Sequence, residues 1–286
     1  DGEAYVLTLT QQPFGTETAV FRGRSVNTNG GRRRKAKLFG IRRQKMLEFG
    51  FRSDTGKKRE NNQDAFFVMP EAGIFLVADG VGGHNSGEVA SRTTMTDIAG
   101  FIRENPIPDS EGDDILIDYF LSLITEVNTH VREMAQDTAP RGMATTLLML
   151  YIKADTAYVI NIGDSRAYLI RDGGISQITE DHTFVHDLVK KGIITEVQAQ
   201  THPDRNMITR AIGAEKSVEP DFYMFKIYPQ DIILMCTDGL YNEVSKEDIC
   251  RMALGAKNMR EACARLVDAA NDNAGSDNIT VVGVKF

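Results

Sequence analysis

Residues 145–174 read TTLLMLYIKADTAYVINIGDSRAYLIRDGG. Three short runs, Thr145–Ile152, Ala157–Ile162 and Ala167–Arg171, are rich in apolar, β-branched and aromatic residues and are expected to be strands. Asp172-Gly173-Gly174 closes the group as a turn. Upstream, Ile74–Ala78 (IFLVA) is a further apolar run ending in Asp79-Gly80. Two segments with helical spacing lie between. Ser86–Glu104 places Val89, Thr93, Ile98 and Ile102 on one stripe, and Asp114–Gln136 does so with Leu116, Tyr119, Phe120, Leu123, Ile124 and Val127. Downstream, a helical and loop-rich stretch covers residues 183–213. Strands are expected at Phe222–Tyr228 and Ile232–Cys236, helices at Ser245–Leu254 and Met259–Asn273, and a last strand at Ile279–Lys285. Strands come in groups, helices come in pairs, and there is no internal repeat. The pattern predicts an α+β fold of antiparallel sheets with helices packed outside.

The 286 residues, 42% of them hydrophobic, suffice for one large core, or for one domain and an extension. A charged fraction of 26% argues against global disorder. No apolar stretch approaches the ~20 residues that span a bilayer, and no signal peptide is recognisable. Cys236, Cys250 and Cys263 form no CxxC spacing and leave an odd count, which fits a reducing, cytoplasmic setting. The net charge of −7 conceals an asymmetry. Ten Lys/Arg and no acid lie between Arg22 and Lys45, and only Asp1, Glu3 and Glu17 precede or join them. Setting those aside from 33 basic and 40 acidic residues leaves 23 against 37, a net of −14. An acidic body suits a site that collects divalent cations and argues against nucleic acid as partner of the main domain. Residues 1–45 read as a basic N-terminal arm or linker, or as the end of an upstream domain, the first residue being Asp1 rather than Met. A docking or nucleic-acid segment is the other reading. Residues 46–286 read as the main domain.

Three apolar runs each deliver an aspartate: IFLVA runs into Asp79, YVINIG into Asp164, and IILMCT into Asp238. A fourth, Asp277-Asn278, stands immediately before ITVVGV. Any one of these is explained as an ordinary turn at a strand end. Four at the mouths of buried strands also admit a shared cation site, because clustered carboxylates repel unless protonated or bound to cations. Hard oxygen ligands suit Mg²⁺ or Mn²⁺ rather than zinc. Arg59, five residues before Asp64, reads either as a solvated charge or as a planar fork for phosphate oxygens. In Asp79-Gly80-Val81-Gly82-Gly83-His84 the glycines let backbone approach a ligand, and the Gly80 carbonyl is a candidate to face a cation. His84 is either a loop residue or a general acid.

Together these segments resemble the metal-dependent protein phosphatase 2C family, particularly its bacterial members. The matching stretches are SDTGKKRENNQD (53–64), VADGVGGHNSGEVAS (77–91), GMATT (142–146), IGDSRAYLIRDG (162–173), QITEDHTFV (177–185), MCTDGLYNEVS (235–245) and GSDNITVV (275–282). The resemblance implies a four-layer α-β-β-α sandwich of two antiparallel sheets flanked by helices, with a small flap near residues 183–213. It implies two Mn²⁺ or Mg²⁺ ions bridged by an aspartate and a water or hydroxide, with a weaker third site. By position, Asp79 resembles the bridging ligand, and Asp238 and Asp277 complete one site. Asp64 and the Gly80 carbonyl face the other, and Asp164 with Asp238 resembles the third. Arg59 resembles the phosphate clamp, His84 the proton donor to the leaving group, and Asn278 a residue behind the nucleophilic water.

The implied activity is hydrolysis of phosphoserine and phosphothreonine in proteins, opposing a Ser/Thr kinase in bacterial signalling, by a monomeric cytoplasmic enzyme without membrane attachment. Three departures qualify this. Gln63 stands where the family often has Glu, Ala144 stands where Gly is common, and the 1–45 arm has no counterpart in the bare catalytic domain. Two other readings are a phosphatase-like domain that binds phosphoprotein without hydrolysis, and a phosphoesterase for small molecules or nucleic acid. Retention of every ligand position speaks against the first, and only the basic arm supports the second.

Overall fold

The computed structural model describes residues 16–17, 47–83, 85–109, 112–138 and 142–286. His84, the basic run Arg22–Lys45 and the alternating segment Tyr5–Thr10 lie outside the described residues. The strands in chain order are β1 (Thr16–Glu17), β2 (Glu48–Asp54), β3 (Asp64–Met69), β4 (Ile74–Gly82), β5 (Met143–Thr145), β6 (Leu147–Lys153), β7 (Thr156–Ile162), β8 (Arg166–Arg171), β9 (Gly174–Gln177), β10 (Asp221–Lys226), β11 (Ile232–Cys236) and β12 (Ile279–Lys285). The α-helices are α1 (Ser86–Glu104), α2 (Asp113–Thr138), α3 (Phe184–Lys190), α4 (Glu196–Gln200), α5 (Asp238–Tyr241), α6 (Lys246–Gly255) and α7 (Met259–Asn273).

One sheet has the order β1-β2-β12-β11-β8-β9 and the other β10-β7-β6-β4-β3, with β5 paired on β4. All pairings are antiparallel. Three apolar layers bind them. Phe75, Val77, Leu148, Leu150, Met235 and Val282 fill the space between the sheets. Leu76, Met149 and Ile160 point the other way, into α1 and α2, where Ile98, Phe120 and Leu123 meet them. Leu234, Cys236 and Val281 face α6 and α7 through Ile249, Cys263 and Leu266. Strands buried on both faces explain the continuous apolar runs, because successive side chains enter different layers. This is the α-β-β-α sandwich expected from the sequence. No helix among the described residues is long and apolar enough to cross a membrane.

Two details differ from the expected elements. The stripe of α1 is rotated: Val89 is exposed, while Ala90, Ser91, Thr94, Met95, Ile98 and Ile102 are buried. Small residues face β4 there because α1 lies close on it, and a larger stripe would not fit. The run Thr145–Ile152 appears as β5 and β6, which keep one register on β4, with Thr145 opposite Gly80 and Leu148 opposite Val77.

The topology gathers the acidic strand ends at one edge. Asp64 begins β3 directly opposite Asp79 of β4. Asp164 follows β7, Asp238 follows β11, and Asp277 precedes β12, which lies between β2 and β11. The flap sits beside this edge, with Thr183 bridged to Ile208 and its far end tied to Thr145 through Ile212.

Candidate metal centre and active site

β4 carries Asp79 into the site on a rigid backbone. The Asp79 N–H donates to Thr146 Oγ1 at 2.8 Å, and its carbonyl accepts from Thr145 Oγ1 at 2.8 Å and from the Thr146 N–H at 2.9 Å. Thr146 Oγ1 lies 2.9 Å from Ser165 Oγ, so the Asp79 strand and the Asp164 loop share a buried hydroxyl pair. Gly80 packs back to back with Gly87 at the start of α1. A Cβ on Gly80 would lie 2.1 Å from the Gly87 carbonyl oxygen, so glycine is required by close approach.

Asp64 is 5% exposed and accepts from Thr237 Oγ1 at 2.8 Å through Oδ2. Its Oδ1 is buried with no partner, and so is Oδ1 of Asp238. Asp238 opens α5, and Asn242 Nδ2 reaches its other oxygen at 3.1 Å. Two buried carboxylate oxygens without donors are costly by themselves. Burial, then repulsion from Asp64 and Asp238, raises Asp79 well above the ordinary carboxylate range. Burial raises Asp64 as well, relieved in part by threonine hydroxyls and reinforced by Asp238 and Asp277. Asp238 is raised by burial and by Asp277, with Arg59 pulling the other way. Burial and Asp238 push Asp164 up to about 7. The all-oxygen donor set, the mutual repulsion and the orphaned oxygens fit a hard divalent cation. Among the described residues, no three His, Cys, Asp or Glu side chains already encircle one ion position.

Arg59 lies on the β2–β3 loop, half exposed, and its Nη2 donates to Asp277 Oδ2 at 2.7 Å. Asp277 raises the guanidinium's pKa, with further support from Asp79 and Asp238. Asn278 staples that loop. Its Nδ2 donates to the carbonyls of Thr55 and Asn61, each at 2.9 Å, and its Oδ1 accepts from the Gln63 N–H at 2.8 Å. The amide is thus committed to the backbone that carries Arg59 and leads to Asp64. Gln63 presents its carbonyl to Ser91 Oγ at 2.6 Å and to the Gly80 N–H at 3.1 Å.

The structure therefore brings Arg59, Asp64, Asp79, Gly80, Asp164, Asp238, Asp277 and Asn278 to one edge of the sandwich, while His84 lies outside the described residues. Sequence reading missed Thr145, Thr146, Ser165 and Thr237. All four sit within the matched segments, but threonine and serine next to strands carry no signal that separates a structural hydroxyl from a site hydroxyl.

The protein phosphatase 2C family model matches residues 55–279. Protein phosphatase PhpP of Streptococcus pneumoniae is 35% identical over 243 residues, covering 84% of this chain and 98% of that protein. Serine/threonine protein phosphatase PstP of Mycobacterium tuberculosis is 37% identical over 237 residues, 83% of this chain but 44% of PstP. A crystal structure of the catalytic domain of PstP in complex with two manganese ions is 35% identical and superposes with a TM-score of 0.72, covering 84% of this chain and 97% of that one. With the sheet order, the aspartate edge and the family match in agreement over most of its length, this chain belongs to the protein phosphatase 2C family.

Proposed function

We propose that this protein hydrolyses phosphoserine and phosphothreonine in proteins, with Mn²⁺ or Mg²⁺ held by Asp64, Asp79, Gly80, Asp238 and Asp277 and a weaker site at Asp164 and Asp238. The observation that carries the proposal is the gathering of five aspartates from separate strand ends, two with buried, unpartnered oxygens. Bound divalent cations supply water of lowered pKa and neutralise the charge of a phosphate dianion. The protein's own part is placement. Thr145 and Thr146 fix the Asp79 backbone, Thr237 orients Asp64, and Asn278 holds the loop bearing Arg59. The Arg59 guanidinium, next to Asp277, is free at its exposed side to grip equatorial phosphate oxygens. His84 is the proposed proton donor to the leaving alkoxide.

Residues 46–286 form the proposed catalytic domain and 1–45 its basic arm. The proposed setting is a cytoplasmic, monomeric phosphatase opposing a Ser/Thr kinase. The resemblance to bacterial phosphatases supports it, and the acidic composition of residues 46–286 disfavours nucleic acid as partner. The test is phosphate release from a phosphothreonine peptide with Mn²⁺, Mg²⁺ or EDTA, comparing the natural protein with Asp238→Ala. Turnover that requires the cation and is lost in the variant is expected. A folded protein inactive with every cation refutes the proposal.

A further inference from the structure

The chain turns back onto the Asp164 loop at His182, just before the flap begins. The His182 side chain is 5% exposed. Its N–H donates to the Gly163 carbonyl at 3.0 Å, and the Gly163 N–H donates to its Nδ1 at 3.1 Å. Both faces of the residue preceding Asp164 are thus held by one side chain and its own backbone. Gly163 has φ +105°, and a Cβ there would lie 2.5 Å from Thr146 Cγ2, so only glycine fits this turn.

The contacts also fix the tautomer. A ring nitrogen that accepts an N–H carries no proton, so the imidazole proton is on Nε2. Asp221 Oδ2, 3.1 Å away, accepts it. Arg210 Nη1 lies 3.2 Å from the same Nε2 but donates to Asp221 Oδ1 at 2.8 Å and to the Glu219 carbonyl at 3.2 Å. Burial holds the imidazole below its usual pKa, which keeps it neutral. The His182 carbonyl accepts the Thr209 N–H at 2.8 Å, so both ends of the flap meet here.

We infer that His182 is a positioning residue: through its Nδ1 bond to Gly163 it fixes where Asp164 presents its carboxylate, and thereby sets the affinity of the cation shared by Asp164 and Asp238. The inference rests on the reading of these aspartates as cation ligands. Asp221 acts one step further out, by keeping the proton on Nε2.

Asparagine places its amide oxygen near the Nδ1 position, and glutamine places its amide near Nε2. His182→Asn therefore preserves the hook on Gly163, and His182→Gln loses it while filling similar space. Asp221→Ala, on the half-buried strand β10, asks the same question without cutting into the core. Without the carboxylate, Arg210 becomes the donor to Nε2, the proton moves to Nδ1, and the hook is lost. The experiment is Mn²⁺ titration by calorimetry on the full chain, with hydrogen exchange at the Gly163 amide. His182→Gln and Asp221→Ala should weaken the weakest Mn²⁺ site by about tenfold and speed exchange at Gly163, with the tighter sites unchanged. His182→Asn should bind and exchange like the natural protein. Equal weakening in the Asn and Gln variants, or none in Gln and Asp221→Ala, overturns the inference. A natural protein that binds no Mn²⁺ overturns the cation reading itself, whereas intact tight binding with the wrong order of variants refutes only the role of His182.

Discussion

Asp164 shows how a single carboxyl ties cations to stability. Its folded pKa of about 7 lies above the ordinary aspartate value. Between about 4, the unfolded value, and that folded value, the folded chain holds a proton that the unfolded chain has released. Stability is therefore present at low pH and lost as pH rises through the window. Asp64, Asp79 and Asp238 shift in the same direction and add to the trend. The chelated protein should melt at a lower temperature at pH 8 than at pH 5.5, and Mn²⁺ should restore more at pH 8. Thermal scans with and without EDTA check this, and a chelated protein that gains stability toward pH 8 contradicts it. Thr237→Val removes the hydroxyl that reaches Asp64 Oδ2 at 2.8 Å. Urea unfolding should show a loss of about 1–3 kcal/mol.

At the scale of elements, the β2–β3 loop depends on one side chain from the start of β12. Asn278→Ala removes three bonds to that loop. Hydrogen exchange over residues 55–63 should rise, and kcat should fall because Arg59 and Asp64 lose their common support. Unchanged exchange there would show that the loop holds itself. Much of the edge was legible because an apolar run ending in an aspartate is a local signal, and Asp79, Asp164 and Asp238 all carry it. The flanking strands were not. EFGFRSD and DAFFVM mix polar, aromatic and small residues, and β2 is defined by pairing with β12 from the far end of the chain, Glu48 opposite Lys285. Their stability comes from partners that a local window does not contain. The face of α1 failed for a related reason. Close packing on β4 selected Ala90, Ser91 and Thr94 over the larger Val89. The Asn278 staple was equally hidden, since an Asn after an Asp at a strand start reads as a turn.

At the scale of the molecule, three apolar layers let two sheets and two helical layers act as one body. Phe75 is fully buried between the sheets, tilted against Phe49 with ring centroids 5.9 Å apart. Phe75→Ala should cost about 3–5 kcal/mol, whereas Leu121→Ala on the exposed face of α2 should stay within about 0.5 kcal/mol. Paired urea denaturation curves decide, and equal effects would mean that the interior between the sheets contributes little to cohesion.

The central place of β12 bears on biosynthesis. Of the described strands, the one latest in chain order fills the gap between β2 and β11, and Asp277 stands at its head. Until it emerges the inner face of the first sheet lacks a middle strand, and the second sheet has no finished surface to close against. Translation products that stop short of this strand therefore have neither a sealed interior nor a complete set of carboxylates. A nascent chain cannot strip phosphates before its quality has been tested by folding, because the last ligand, Asp277, and the strand that seals the interior emerge together.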